Sequence, residues 1–90
     1  MDLPRVLRPF IRDDGSIVSI PAKASKRRLL LEYLAAAFEP GVRMTEVEVN
    51  AVLRAFYEHD PVSLRRYLID AALLSREDGV YWRSGGYVDV

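Results

Sequence analysis

Four cations crowd one short stretch of the chain: Lys23, Lys26, Arg27 and Arg28. They stand where a helix should open, with Ser25 as its expected N-cap and Leu29-Leu30-Leu31 directly behind. A helix N-terminus carries partial positive charge, so an exposed cation there is disfavoured by about 0.3–1 kcal/mol. Four cations in that place run against the local rule. An anion held by these side chains and by the free helix-end N–H groups would account for them, and phosphate is the fitting group. The plainer alternative is a solvated basic turn that pairs with the acidic middle of the chain, Glu46 and Glu48 included.

A second candidate follows Asp60. In Asp60-Pro61-Val62-Ser63-Leu64-Arg65-Arg66 the aspartate is a favoured N-cap, and proline occupies the first helical position. Advancing about 100° per residue, Leu64, Leu68 and Ala71 point one way and Ser63, Arg66 and Asp70 largely the other. Ser63, Arg65 and Arg66 are the expected contacts to bases or phosphates in a major groove. Two features oppose that reading. Asp70 would sit beside phosphates, and Val62, Ile69 and Leu73 make a second apolar stripe near the outward side, better suited to a covering element, a second copy or another protein. Arg66 and Asp70 can also simply pair one turn apart.

A third candidate is the hairpin around Glu77-Asp78-Gly79. Arg76 near its tip is placed to touch phosphate, and Trp82 to stack, although a core position is the expected role for Trp82. His59, the only histidine, stands between Glu58 and Asp60, but no second histidine or cysteine completes a metal set. The serines have no partner base, and no glycine-rich phosphate loop occurs. No catalytic constellation is visible, and neither a cofactor nor a metal is expected.

The elements that must position these residues are legible. Leu3, Val6, Leu7 and Phe10 recur at i, i+3, i+4 and i+7, which predicts a short helix over Leu3–Ile11 with Pro9 disturbing its end. Asp13-Asp14-Gly15 is a turn, and Ser16–Ile20 alternates as a brief strand. The basic helix should run to about Phe38 on a broad apolar face of Leu29, Leu30, Tyr33, Leu34, Ala37 and Phe38, ending at Glu39-Pro40-Gly41. Arg43-Met44 is the expected short strand. Thr45-Glu46-Val47-Glu48 is a capping box, and its helix should bury Val49, Val52, Leu53 and Phe56 before stopping near Glu58. About three residues then separate it from the Asp60 cap, which is helix-turn-helix spacing. Asp78-Gly79 suits a type I′ turn between Leu74-Ser75-Arg76 and Val80-Tyr81-Trp82-Arg83.

Composition sets the bounds. Ninety residues form one small domain, and 50% apolar with 29% charged residues fits a globular chain. No apolar run approaches the roughly 18 residues of a membrane span, no signal peptide is recognised, and the absence of cysteine removes disulfides and thiolate metal sites. A cytoplasmic location is expected. Net charge is zero, from 13 Lys+Arg and 13 Asp+Glu, which counts against nucleic-acid binding. The distribution is uneven: residues 1–31 carry a net +4, residues 32–60 a net −4, and residues 61–90 balance.

Together the elements predict an α+β, mainly helical chain, a winged helix-turn-helix. Residues 1–22 are its amino-terminal helix and strand extension, 23–83 its core and 84–90 a tail in which Tyr87-Val88 would add an edge strand. Ile20-Pro21-Ala22-Lys23, Phe38-Glu39-Pro40-Gly41, Thr45-Glu46-Val47-Glu48-Val49-Asn50, Leu64-Arg65-Arg66 with Leu68 and Asp70, and Tyr81-Trp82-Arg83 are similar to the bacterial domain of unknown function family 2087. The resemblance spans roughly residues 5–83. It departs from the family pattern at Ala72, where glycine is expected. Some members are fused behind helix-turn-helix regulators, so the resemblance implies a link to transcription and assigns no chemistry. The functional expectation is a non-enzymatic module that binds duplex DNA or works in transcription. The alternatives are a protein-interaction or dimerisation domain on the same scaffold and a receptor for a small phosphorylated ligand.

Overall fold

The computed structural model describes residues 4–84. Leu3 and the expected strand at Tyr87-Val88 lie outside the described residues. The chain opens with a 3-10 helix, Arg5–Phe10, followed by α1 (Ala24–Ala35), β1 (Met44–Thr45), α2 (Glu46–Phe56), α3 (Pro61–Asp70), β2 (Leu74–Glu77) and β3 (Val80–Arg83). The three strands form one antiparallel sheet in the order β1-β3-β2, with Met44 opposite Tyr81 and Ser75 opposite Trp82. Helix, strand, helix, helix, hairpin is the winged-helix arrangement.

Local chemistry sets most of the boundaries. At the start of α2 the Thr45 hydroxyl accepts from the Glu48 N–H, and the Glu48 carboxylate accepts from the Thr45 N–H. At the start of α3, Asp60 accepts from the Ser63 N–H, and Pro61 enters without losing a useful donor. The hairpin turns on Asp78 and Gly79, both at positive φ (52° and 79°), as the type I′ turn demands. One helix starts elsewhere than expected. Lys23, not Ser25, is the N-cap of α1, and it makes no side-chain cap bond. The helix also stops at Ala35, and tighter three-residue bonds carry the chain through Ala37 and Phe38.

The core lies between the three helices and the inner face of the sheet. Leu30, Leu34, Val49, Leu53, Leu64, Leu68, Leu74 and Tyr81 are buried there. Leu31 and Ala35 join them, whereas Ala37, expected on the apolar face, is exposed.

The amino-terminal segment belongs to this core and is not merely appended to it. Leu7 and Ile17 are fully buried, and the Ile17 N–H donates to the carbonyl of Phe56 at the end of α2. Ser16–Ile20 is not a strand, because its backbone partners lie on different elements. Ile11 bridges Ile17, and Val18 donates to Phe10. The Tyr33 hydroxyl closes the preceding turn by donating to the carbonyl of Gly15.

Candidate nucleic-acid interface

The four cations that open α1 divide into two pairs. Arg27 lies over the Tyr67 ring of α3, 4.9 Å from its centroid, and donates 3.0 Å to the carbonyl of Ala22. Arg28 pairs with Glu32 at 3.1 Å and donates 2.8 Å to the carbonyl of Ala71 at the end of α3. That second contact places a guanidinium on the negative end of a helix dipole, which is favourable. Both arginines therefore fasten the start of α1 to the second half of α3. The Lys23 and Lys26 side chains make no hydrogen bond or ion pair among the described residues.

On α3, Pro61, Leu64, Arg65 and Leu68 face inward, while Val62, Arg66 and Asp70 are exposed. Arg66 has no polar partner among the described residues and does not pair with Asp70. Arg65 is otherwise employed. It is only 9% exposed, donates 2.6 Å to the Asn50 side chain, pairs with Glu46 at 3.0 Å and lies over the Tyr81 ring. Its guanidinium joins α2, α3 and β3 and is not presented outward, contrary to the expectation of a groove or anion contact. Ser63 is also turned inward on its own helix end, where its hydroxyl donates to Asp60 at 2.5 Å. Those two bonds from Ser63 hold the Asp60 carboxyl below its usual range, the side-chain bond being the larger cause.

The expected apolar stripe does not form. Leu73 is 0% exposed and Ile69 packs against the core, which leaves Val62, at 44%, as its exposed member. The cause is the way α3 ends. The Leu73 N–H bonds the Leu68 carbonyl and the Ala72 N–H bonds the Ile69 carbonyl, the paired closure of a Schellman motif. Ala72 takes the left-handed conformation this requires, with φ 59°. The chain swings out of the helical path there, and Leu73 drops into the core beside Leu68.

In the hairpin, Tyr81 rather than Trp82 fills the core. Trp82 is half-buried on the other face of the sheet, and the Arg43 guanidinium lies 5.0 Å from its ring centroid. Arg76 is exposed and donates to the Tyr81 hydroxyl, a bond that holds its guanidinium above its ordinary pKa. Its surroundings are acidic. Glu77 and Asp78 form the tip, and Glu46 at the start of α2 is close enough to act on Arg76 electrostatically. His59 stands with its ring against Tyr57, and no cluster of three His, Cys, Asp or Glu that would hold a metal occurs among the described residues.

The family model described as "Uncharacterized protein conserved in bacteria (DUF2087)" matches residues 16–83 of the 90. The chain belongs to that family. In this DUF2087 domain the matched region contains α1 to β3 and starts after the amino-terminal 3-10 helix. Glycine, the residue expected at position 72, is also the residue that the left-handed backbone there would favour. No curated protein and no solved structure matched the chain.

Sequence reasoning missed two features of this surface. One is the division of the α1 cations into two structural arginines and two unpaired lysines. The signal for it was Tyr67, an aromatic two positions after the Arg65 that anchors the helix. The other is Arg43 on Trp82, which the alternation of β3 could have suggested once either Tyr81 or Trp82 was assigned inward.

Proposed function

We propose that this DUF2087 domain is a non-enzymatic, cytoplasmic DNA-binding module associated with transcription, in which α3 approaches duplex DNA with the start of α1 beside it. The observation that carries the reading is the fastening of α1 to α3 by Arg27 on Tyr67 and Arg28 on the Ala71 carbonyl. Lys23 and Lys26 stand in the same opening turn of α1, and α3 is the helix that a winged-helix protein commonly uses for the major groove. Arg66 is the outward cation of α3 itself. Phosphate contacts from the lysines would set the register, and Arg66 would reach base edges or phosphate. The winged-helix arrangement, compatible with such a role, supports this reading. Among the described residues no helix is long and apolar enough to cross a membrane.

Fluorescence anisotropy with a labelled duplex of mixed sequence tests the proposal. Affinity should fall as salt rises, and Lys23→Glu with Lys26→Glu should abolish most of it, because each reversal replaces a phosphate contact with repulsion. Arg27 and Arg28 are unsuitable for the test, since changing them would also loosen α1 from α3. Binding that is indifferent to salt and to both lysines would refute the reading. Dimerisation through Val62, Ile69 and Leu73 is not proposed, because Leu73 is buried.

A further inference from the structure

A winged-helix domain commonly takes a second hold on DNA through its wing or through the start of the helix preceding the recognition helix. Both places are acidic here. Glu77 and Asp78 make the wing tip, and the register that sets Val80 opposite both Glu77 and Thr45 brings the tip against the start of α2, with Glu46 and Glu48. A phosphate backbone would be repelled from that end of the molecule.

The unpaired positive charge lies elsewhere. Of the basic residues, Arg12, Arg27, Arg28, Arg43, Arg65, Arg76 and Arg83 each have a polar or aromatic partner within the fold. Arg5, Arg8, Lys23, Lys26, Arg54 and Arg66 have no polar or aromatic partner among the described residues. Four of these six precede residue 27. Arg5 and Arg8 occupy the 3-10 helix, where residues three apart eclipse one another, so the two guanidinium groups project from one edge. Both are exposed, while Leu7 between them is driven into the core and fixes the helix against α1. Among the described residues, nothing in the packing uses the Arg5 or Arg8 side chain.

We infer that Arg5 and Arg8 form a phosphate-backbone contact for duplex DNA, adding to Lys23 and Lys26 and taking the place of the acidic wing. The inference rests on the DNA-binding reading above and extends its footprint beyond the region shared with the family, since the family match begins at residue 16. The contact carries affinity without base selectivity, because an arginine on phosphate reads no sequence. It also reconciles DNA binding with zero net charge: residues 1–31 carry a net +4, which residues 32–60 offset with a net −4.

The experiment measures the salt dependence of duplex binding for the full chain and for Arg5→Gln/Arg8→Gln. Each phosphate contact contributes about 0.9 to the slope of log affinity against log salt, so removing two should reduce its magnitude by about 1.8. Arg5→Lys/Arg8→Lys should keep the wild-type slope, since a point charge satisfies a phosphate. Circular dichroism should show every variant folded, as both side chains are exposed. An unchanged slope in Arg5→Gln/Arg8→Gln, with a reduced slope in Lys23→Gln/Lys26→Gln, overturns this inference and leaves the DNA-binding reading standing. Absence of salt-dependent binding by the unaltered chain overturns both.

Discussion

Ala72 shows how one residue can oppose the fold that surrounds it. The left-handed conformation at φ 59° crowds a Cβ against the following carbonyl, at a cost of about 1–2 kcal/mol for an ordinary residue. The conformation persists because it satisfies two helix-end carbonyls and delivers Leu73 to the core, which together outweigh that cost. Glycine would adopt the same backbone freely but has more conformational freedom to lose on folding, by roughly 0.5–1 kcal/mol. Ala72→Gly should therefore stabilise the domain by about 0.5–1 kcal/mol, and Ala72→Val should destabilise it. Urea unfolding read by tryptophan fluorescence of Trp82 measures both. A lower midpoint for the glycine variant would mean that the Schellman closure is not under strain. The residue identity was readable from sequence, as was its departure from the family. The consequence was not, because a helical wheel extended past Asp70 carries Leu73 outward, and only the turn of the backbone at Ala72 brings it in.

At the scale of elements, the structure follows the sequence wherever a boundary is made by neighbours in the chain. The Thr45–Glu48 box, the Asp60-Pro61 start and the Asp78-Gly79 turn are each closed within four residues, so spacing alone reveals them. Ser16–Ile20 and the start of α1 depend on distant partners. The former is held by Phe10 and Phe56, the latter by Arg27 on the Tyr67 ring and Arg28 on the Ala71 carbonyl, and no local pattern encodes either. Arg65 belongs to the same class. As one of two adjacent arginines it resembles a surface contact, yet it clamps α2, α3 and β3 through Glu46, Asn50 and Tyr81. Because Glu46 remains half-exposed and can be rehydrated, Arg65→Ala should cost about 1–2 kcal/mol, less than breaking a fully buried pair. Arg66→Ala, one residue along on an exposed face, should stay within about 0.5 kcal/mol of the parent. A double-mutant cycle of Arg65→Ala with Glu46→Ala should give a coupling of roughly 0.5–1 kcal/mol, and additive losses would show that Arg65 acts through Asn50, Tyr81 and packing without help from the ion pair.

Across the whole molecule, the carboxylates hold the fold in a way that acid should reveal. Asp14, Glu48 and Asp60 have pKa values lowered in the folded chain, each chiefly by hydrogen bonds: from the Ser16 side chain, the Thr45 N–H and the Ser63 side chain respectively. A carboxyl with a depressed folded pKa contributes stability that is fully present above its unfolded value and is lost as pH falls through the folded one. Stability should therefore be level from neutral pH down to about 5, and should decline as pH drops through the ordinary values of 4.5 for Glu48 and 3.8 for the two aspartates. Loss of negative charge over the same interval ends the balance of 13 basic and 13 acidic side chains, so repulsion among the basic ones acts in the same direction. These two causes are separable. Glu48→Gln and Asp60→Asn keep competent caps at both helix starts while removing the titration. If cap ionisation governs the acid limb, thermal unfolding followed by circular dichroism should give a shallower fall in Tm below pH 5 for the double variant. If global repulsion governs it, the double variant should fall as steeply as the parent, and added salt should flatten both curves alike.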